Sequence, residues 1–132
     1  MLIYLDSNIV IYAVENPAIF GPRASARLQA ISQTDRIAVS ELTRLECCSH
    51  PLRHANFALL RTYDGFFARP DVTVLPIADR FIRRATLIQA VHDFATIDSI
   101  HLAMAVENGC QLFLTHDQRL NSFTDVTVEV LA

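Results

Sequence analysis

Four acidic residues stand where apolar runs give way to polar, helix-starting sequence. They are Asp6 after LIYL, Glu46 in SELTRLE, Asp98 in TIDSIHLAMA and Asp117 in LFLTHD. Carboxylates at the ends of parallel strands face the crevice where open α/β sheets bind ligands. If the four converge, they make an oxygen-only donor set, which suits Mg2+ or Mn2+ rather than a soft metal. The chemistry expected of such a set is metal-dependent phosphoryl transfer or phosphodiester cleavage. Taken singly, each acid has a plainer role. Asp6 and Asp98 suit N-caps or first helical turns, Glu46 a solvated helix face and Asp117 a turn. The reading rests on all four together. Glu41, in a first turn, and Asp93, in a loop before Thr96, rank below Glu46 and Asp98.

The elements that would carry these acids alternate. Leu2 to Leu5 reads as a strand buried on both faces, and Asp6-Ser7-Asn8 starts a helix that Asn16-Pro17 stops. A second helix is expected from about Pro22 to Ser32, and a strand from Arg36 to Val39. Ser40 caps a helix from Glu41 to Ser49, and Pro51 to Phe67 forms the next. Val72 to Pro76 is the third strand, and Asp79 caps the helix after it. Thr96 caps a helix from Ile97 to Asn108, which Gly109 ends. CQLFLT is the fourth strand, and VTVEVL supplies a fifth. Such alternation implies a mostly parallel sheet of four to five strands, covered by helices on both sides.

The bulk composition narrows the function. With 132 residues, 52% of them hydrophobic, the chain can bury a core without staples. A mean hydropathy of +0.28 is high for this size and suggests surface buried against a partner. The net charge of −3 is not the footprint of a dedicated nucleic-acid binder, yet bound divalent ions reverse local charge. All eleven cationic side chains are Arg, so no Lys serves as Schiff base or P-loop cation. Arg23, Arg27, Arg44 and Arg53 are candidates for an RNA groove or for plain surface pairs. Cys47, Cys48 and Cys110 lack disulfide or zinc spacing and read as small buried hydrophobes. The longest apolar run, Ile9 to Val14, is too short to span a bilayer, and a cytoplasmic location is expected.

DSN after the first strand, S-x5-E from Ser40 to Glu46, DSIHLAMA and LTHD resemble the ordered motifs of PIN-domain ribonucleases. The likeness is to the VapC-type toxins of toxin–antitoxin modules and covers Asp6 to about Leu120. Its sharpest part is D-x-x-H-L-A-x-A followed by G-C-x-L-F-L-T-x-D; the stretch from Arg53 to Ala90 matches only as generic helices and a strand. The resemblance implies a three-layer α/β/α fold, with residues 1–132 forming one PIN domain. It implies that Asp6, Glu46, Asp98 and Asp117 hold Mg2+ or Mn2+ and that Ser7, Asn8 and Thr115 support them. It also implies in-line hydrolysis of RNA to a 5′ phosphate and a 3′ hydroxyl. A VapB-type antitoxin and a homodimeric partner copy follow from the same likeness. Ser7 stands where the family commonly has Thr, and Ser99 where it often has Ala.

His101 shares a helix face with Asp98, and packing beneath the site is its preferred role over donation to a carboxylate. Other readings are weaker. His92-Asp93 and His116-Asp117 resemble the dipeptides of HD-type metal phosphohydrolases, but that fold is helical and CQLFLT reads as a strand. A dehalogenase-type phosphatase wants D-x-D where this chain has Asp6-Ser7-Asn8, and both it and a receiver domain want a Lys. A PIN-like module that binds RNA or protein without cutting is the remaining alternative. Four mutually repelling carboxylates argue against it.

Overall fold

The computed structural model describes all residues, Met1–Ala132. Its centre is a five-stranded sheet in the order β3-β2-β1-β4-β5, with every neighbouring pair parallel. The strands are β1 (Leu2–Leu5), β2 (Arg36–Ser40), β3 (Val72–Leu75), β4 (Leu112–Thr115) and β5 (Thr127–Val130). The helices are α1 (Ser7–Glu15), α2 (Phe20–Gln29), α3 (Glu41–Arg53), α4 (Phe57–Phe67), α5 (Asp79–His92) and α6 (Thr96–Glu107). A 3₁₀ turn, Gln118–Ser122, follows β4.

The two-residue period of the strands divides the core. Ile3, Leu5, Ile37, Val39, Leu112 and Leu114 point to one face and pack with Ile9, Val10, Tyr63 and Phe67 from α1 and α4. Tyr4, Ala38 and Phe113 point to the other face, against Leu102 to Ala105 of α6 and Phe81, Ala85 and Ile88 of α5. Both faces are covered, which explains why the inner strands read as continuous apolar runs. The fold class expected from the sequence is the one observed. All five strands form, and the sheet is wholly parallel.

Some boundaries differ from the sequence reading, each for a local reason. Helix α3 continues through Pro51 to Arg53 instead of stopping at Ser49. Pro51 lies in the last turn, where loss of its N–H removes one bond near a helix end. The chain then breaks: Ala55 takes a positive φ of 51°, and the Asn56 side chain accepts from Leu59 N to cap α4. Helix α2 starts earlier than expected, at Phe20. Its Gly21 lies so close to the end of α1 that a Cβ there would meet the Asn16 backbone at 2.6 Å. Asp79 and Thr96 open their helices rather than capping them; the N-caps are Ala78 and Ala95, without side-chain bonds.

Candidate active site

Strand order reverses direction at β1, whose neighbours are β2 and β4. The crevice beyond the carboxyl ends of β1 and β4 is therefore the topological switch point of the sheet. Asp6 immediately follows β1 and is buried. It also caps α1, with Oδ1 accepting from Ser7 N at 2.8 Å. Its Oδ2 accepts from Thr115 Oγ1 at 2.7 Å, so the last residue of β4 fixes the first acid. Asn8 Nδ2 donates to the same oxygen at 3.4 Å, while Asn8 Oδ1 accepts from His116 N at 3.2 Å. Thr115 Oγ1 also accepts from Asp117 N at 3.0 Å. Asn8 and Thr115 thus tie the ends of β1 and β4 together, while Ser7 bonds Asp6 through its N–H and Glu46 through its hydroxyl.

Asp98 lies in the first turn of α6, beside this crevice. Burial, and then the charges of Asp6 and Asp117, push its carboxyl above the ordinary aspartate value. Asp117 shifts the other way. Arg119 holds it below the ordinary value, although the two acids are neighbours. The difference follows from position: the guanidinium clasps Asp117 at 2.6 Å and reaches Asp98 only at 3.8 Å.

Glu46 takes a separate arrangement within the same pocket. Ser7 Oγ donates to its Oε1 at 2.6 Å, and His101 Nε2 lies 2.5 Å from that oxygen. Burial alone would raise the Glu46 carboxyl; the bonds from His101 and Ser7 outweigh it and leave the group below its usual value. A carboxylate only accepts, so the hydrogen between them sits on His101 Nε2. His101 Nδ1 lies 2.7 Å from the Tyr4 hydroxyl, which reaches Ser40 Oγ at 3.0 Å. His101 is fully buried, so it does pack under the site, but it is also the donor that orients Glu46. The expectation of packing alone therefore needs correction.

The two lower-ranked acids stay outside the pocket. Glu41 is exposed in the first turn of α3, and Asp93 terminates α5 with a φ of 57°. Of the arginines singled out from the sequence, Arg27 pairs with Glu129, while Arg23 and Arg44 lie over Phe20 and Phe67. Arg53 is exposed near the end of α3. The cation at the acidic crevice is Arg119, which the sequence reading does not select. Its place two residues beyond Asp117, in a turn, is the available clue. The three thiols are free, with Cys47 and Cys110 buried, as expected.

The PIN domain family model matches residues 3–126. The chain belongs to the PIN domain family. Solved structures similar to this PIN domain include VapBC2 from Rickettsia felis bound to a promoter DNA fragment. That likeness has 13% identity and a TM-score of 0.83 over 100% of both chains. VapC20 of Mycobacterium tuberculosis, described as a sarcin-ricin loop cleaving toxin, matches with 14% identity and a TM-score of 0.75, covering 95% of this chain and 98% of that one. VapBC-1 from nontypeable Haemophilus influenzae matches with 18% identity and a TM-score of 0.68, over 99% and 98% of the two chains. At these identities the likeness is one of fold. No individually curated protein matches the sequence.

The donor set suits a hard divalent cation in chemistry: three aspartates and a glutamate, with no thiolate among them. A positive group already lies against two of the acids, the Arg119 guanidinium. The side chains as they stand do not gather three ligands about one point. Asp117 is turned to Arg119, and Glu46 to Ser7 and His101.

The excess charge has a testable effect on stability. Because the native state raises the Asp98 value, it holds that proton more tightly than the unfolded chain does. The group's contribution is best at acid pH and is lost as pH rises through the raised value. Asp98→Asn is therefore expected to raise the melting temperature of the metal-free protein at neutral pH. The gain should fade as pH falls toward the ordinary aspartate range. Melting curves in EDTA across pH check this, and a lowered neutral-pH melting temperature would contradict it.

Proposed function

We propose that this PIN domain is a divalent-metal-dependent ribonuclease toxin of the VapC kind, restrained by a cognate antitoxin. The observation that carries the proposal is the meeting of acids at the switch point of the sheet: Asp6 and Asp117 are joined through Thr115 Oγ1, and one guanidinium reaches both Asp117 and Asp98. Carboxylates that oppose one another's ionisation at a ligand-binding crevice are suited to a cation. In this reading Asp6, Asp98 and Asp117 hold Mg2+ or Mn2+, and Glu46 completes the acidic set. When bound, such an ion supplies Lewis acidity toward the scissile phosphate and its leaving oxygen.

The chain's own residues prepare that chemistry. Thr115 and Ser7 fix both oxygens of Asp6, so this carboxylate needs little reorganisation to act. His101 and Ser7 keep Glu46 ionised and oriented.

Support for partners comes from two directions. Structures with this fold include toxin–antitoxin complexes. The surface also carries apolar side chains in two places: Leu45, Leu52 and Phe57 on α3 and α4, and Ile82, Leu87 and Val91 on α5. We assign these to contacts with an antitoxin and with a second copy of the chain. No helix is long and apolar enough to cross a membrane.

The experiment is cleavage of a panel of RNAs, single-stranded and stem-loop, by purified protein with Mn2+ or Mg2+. Cleavage that EDTA abolishes is the expected result. Cleavage that survives EDTA would remove the metal from the reading. Intact RNA throughout the panel would remove the nuclease.

A further inference from the structure

Asp117 devotes both carboxylate oxygens to one side chain. Arg119 Nε lies 3.0 Å from Oδ1 and 3.2 Å from Oδ2, and Nη2 lies 2.6 Å from Oδ2. The same Nη2 stands 3.8 Å from Asp98 Oδ2. One positive charge therefore bridges two of the acids assigned to the metal. The planar guanidinium fork suits such a carboxylate geometrically as well as electrostatically.

The tether is short and firm. Arg119 N donates to Asp117 Oδ1 at 3.0 Å, and Asp117 caps the 3₁₀ turn in which Arg119 sits. The backbone of Arg119 is thus fixed beside the crevice. Its side chain is 75% exposed, so it can swing into water without disturbing any packing. A residue anchored at the rim, charged, and free to leave has the properties of a reversible plug.

We propose that Arg119 is a tethered cation that closes the acidic crevice in the metal-free protein and competes with the divalent ion for Asp117 and Asp98. The inference rests on the metal-nuclease reading and adds to it a competitor from this chain's own sequence. A guanidinium hydrogen-bonded to both oxygens of Asp117 occupies the lone pairs through which that carboxylate would meet a metal. Binding of the ion then requires Arg119 to release Asp117, and the affinity for metal is lowered by the strength of that pair. Charge, not bulk, is the cause, so the effect must weaken with salt.

The test is a Mn2+ titration of the wild type, Arg119→Gln and Arg119→Lys, followed by melting temperature and by the spin resonance of free Mn2+. Arg119→Gln is expected to half-saturate at a Mn2+ concentration roughly threefold lower than wild type at low ionic strength. The gap should narrow in high salt. Arg119→Lys keeps the charge but loses the fork, and its midpoint should fall between the other two. Equal midpoints for wild type and Arg119→Gln, with both binding Mn2+, would overturn the plug and leave the nuclease reading standing. Weaker binding by Arg119→Gln would overturn it as well, since Arg119 would then be assisting the site. Absence of Mn2+ binding in every variant would overturn the plug and the metal-nuclease reading together.

Discussion

Asp6→Asn protein is expected to cut RNA at least about 100-fold more slowly than wild type at saturating Mn2+, the scale on which loss of a preorganised charge-stabilising group acts. The substitution removes a charge and keeps a shape. The carbonyl oxygen of the new side chain can still accept from Ser7 N and so cap α1. The Thr115 hydroxyl, which donates to Oδ2 of Asp6, can rotate to accept from the amide that replaces it. The fold should therefore survive, and circular dichroism with a melting curve in EDTA will show whether it does. A folded Asp6→Asn protein that cuts at the wild-type rate would show that Asp6 serves α1 and nothing else.

His101→Ala should lose about 3 kcal/mol of folding stability, the range seen when a buried polar network is broken. His101 has no exposed surface, and its ring nitrogens meet Tyr4, Ser7 and Glu46. Truncation opens a cavity and leaves the Tyr4 hydroxyl and the Glu46 carboxylate without a shared partner. Urea unfolding measures the effect as a lower midpoint at unchanged slope. A cost below about 1 kcal/mol would mean that water replaces the ring freely, and that Glu46 does not depend on it.

Much of this is legible in the sequence because the signals are local. Asp6 sits at the junction of β1 and α1, and Asp117 just beyond β4; strand-to-helix punctuation locates both. The sheet class follows from alternation alone. Two kinds of information are not local. The partners of His101 lie on β1, α1 and α3, and no spacing along α6 reports that Tyr4 and Glu46 will meet its two ring nitrogens. Arg119 is hidden for the opposite reason. An Arg two residues past an Asp in a turn is common, and only the approach of α6 puts Asp98 beside it. The end of α3 is misread from sequence because Pro51 looks like a stop, while the positive φ at Ala55 and the Asn56 cap make the actual break.

The register of the central strands has a consequence for synthesis. Ile3 pairs with Leu112, across more than a hundred residues, and the pairing brings Asp6 to Thr115. Loop closure over that distance is entropically costly and slow compared with helix formation. A ribosome delivers Asp6 more than a hundred residues before β4, but the crevice cannot exist until β4 has emerged and docked. Before that moment the chain has its first acid and no assembled crevice. On the proposed reading, a toxic nuclease is thus kept harmless by topology alone until β4 joins the sheet, and an antitoxin need act only from that time.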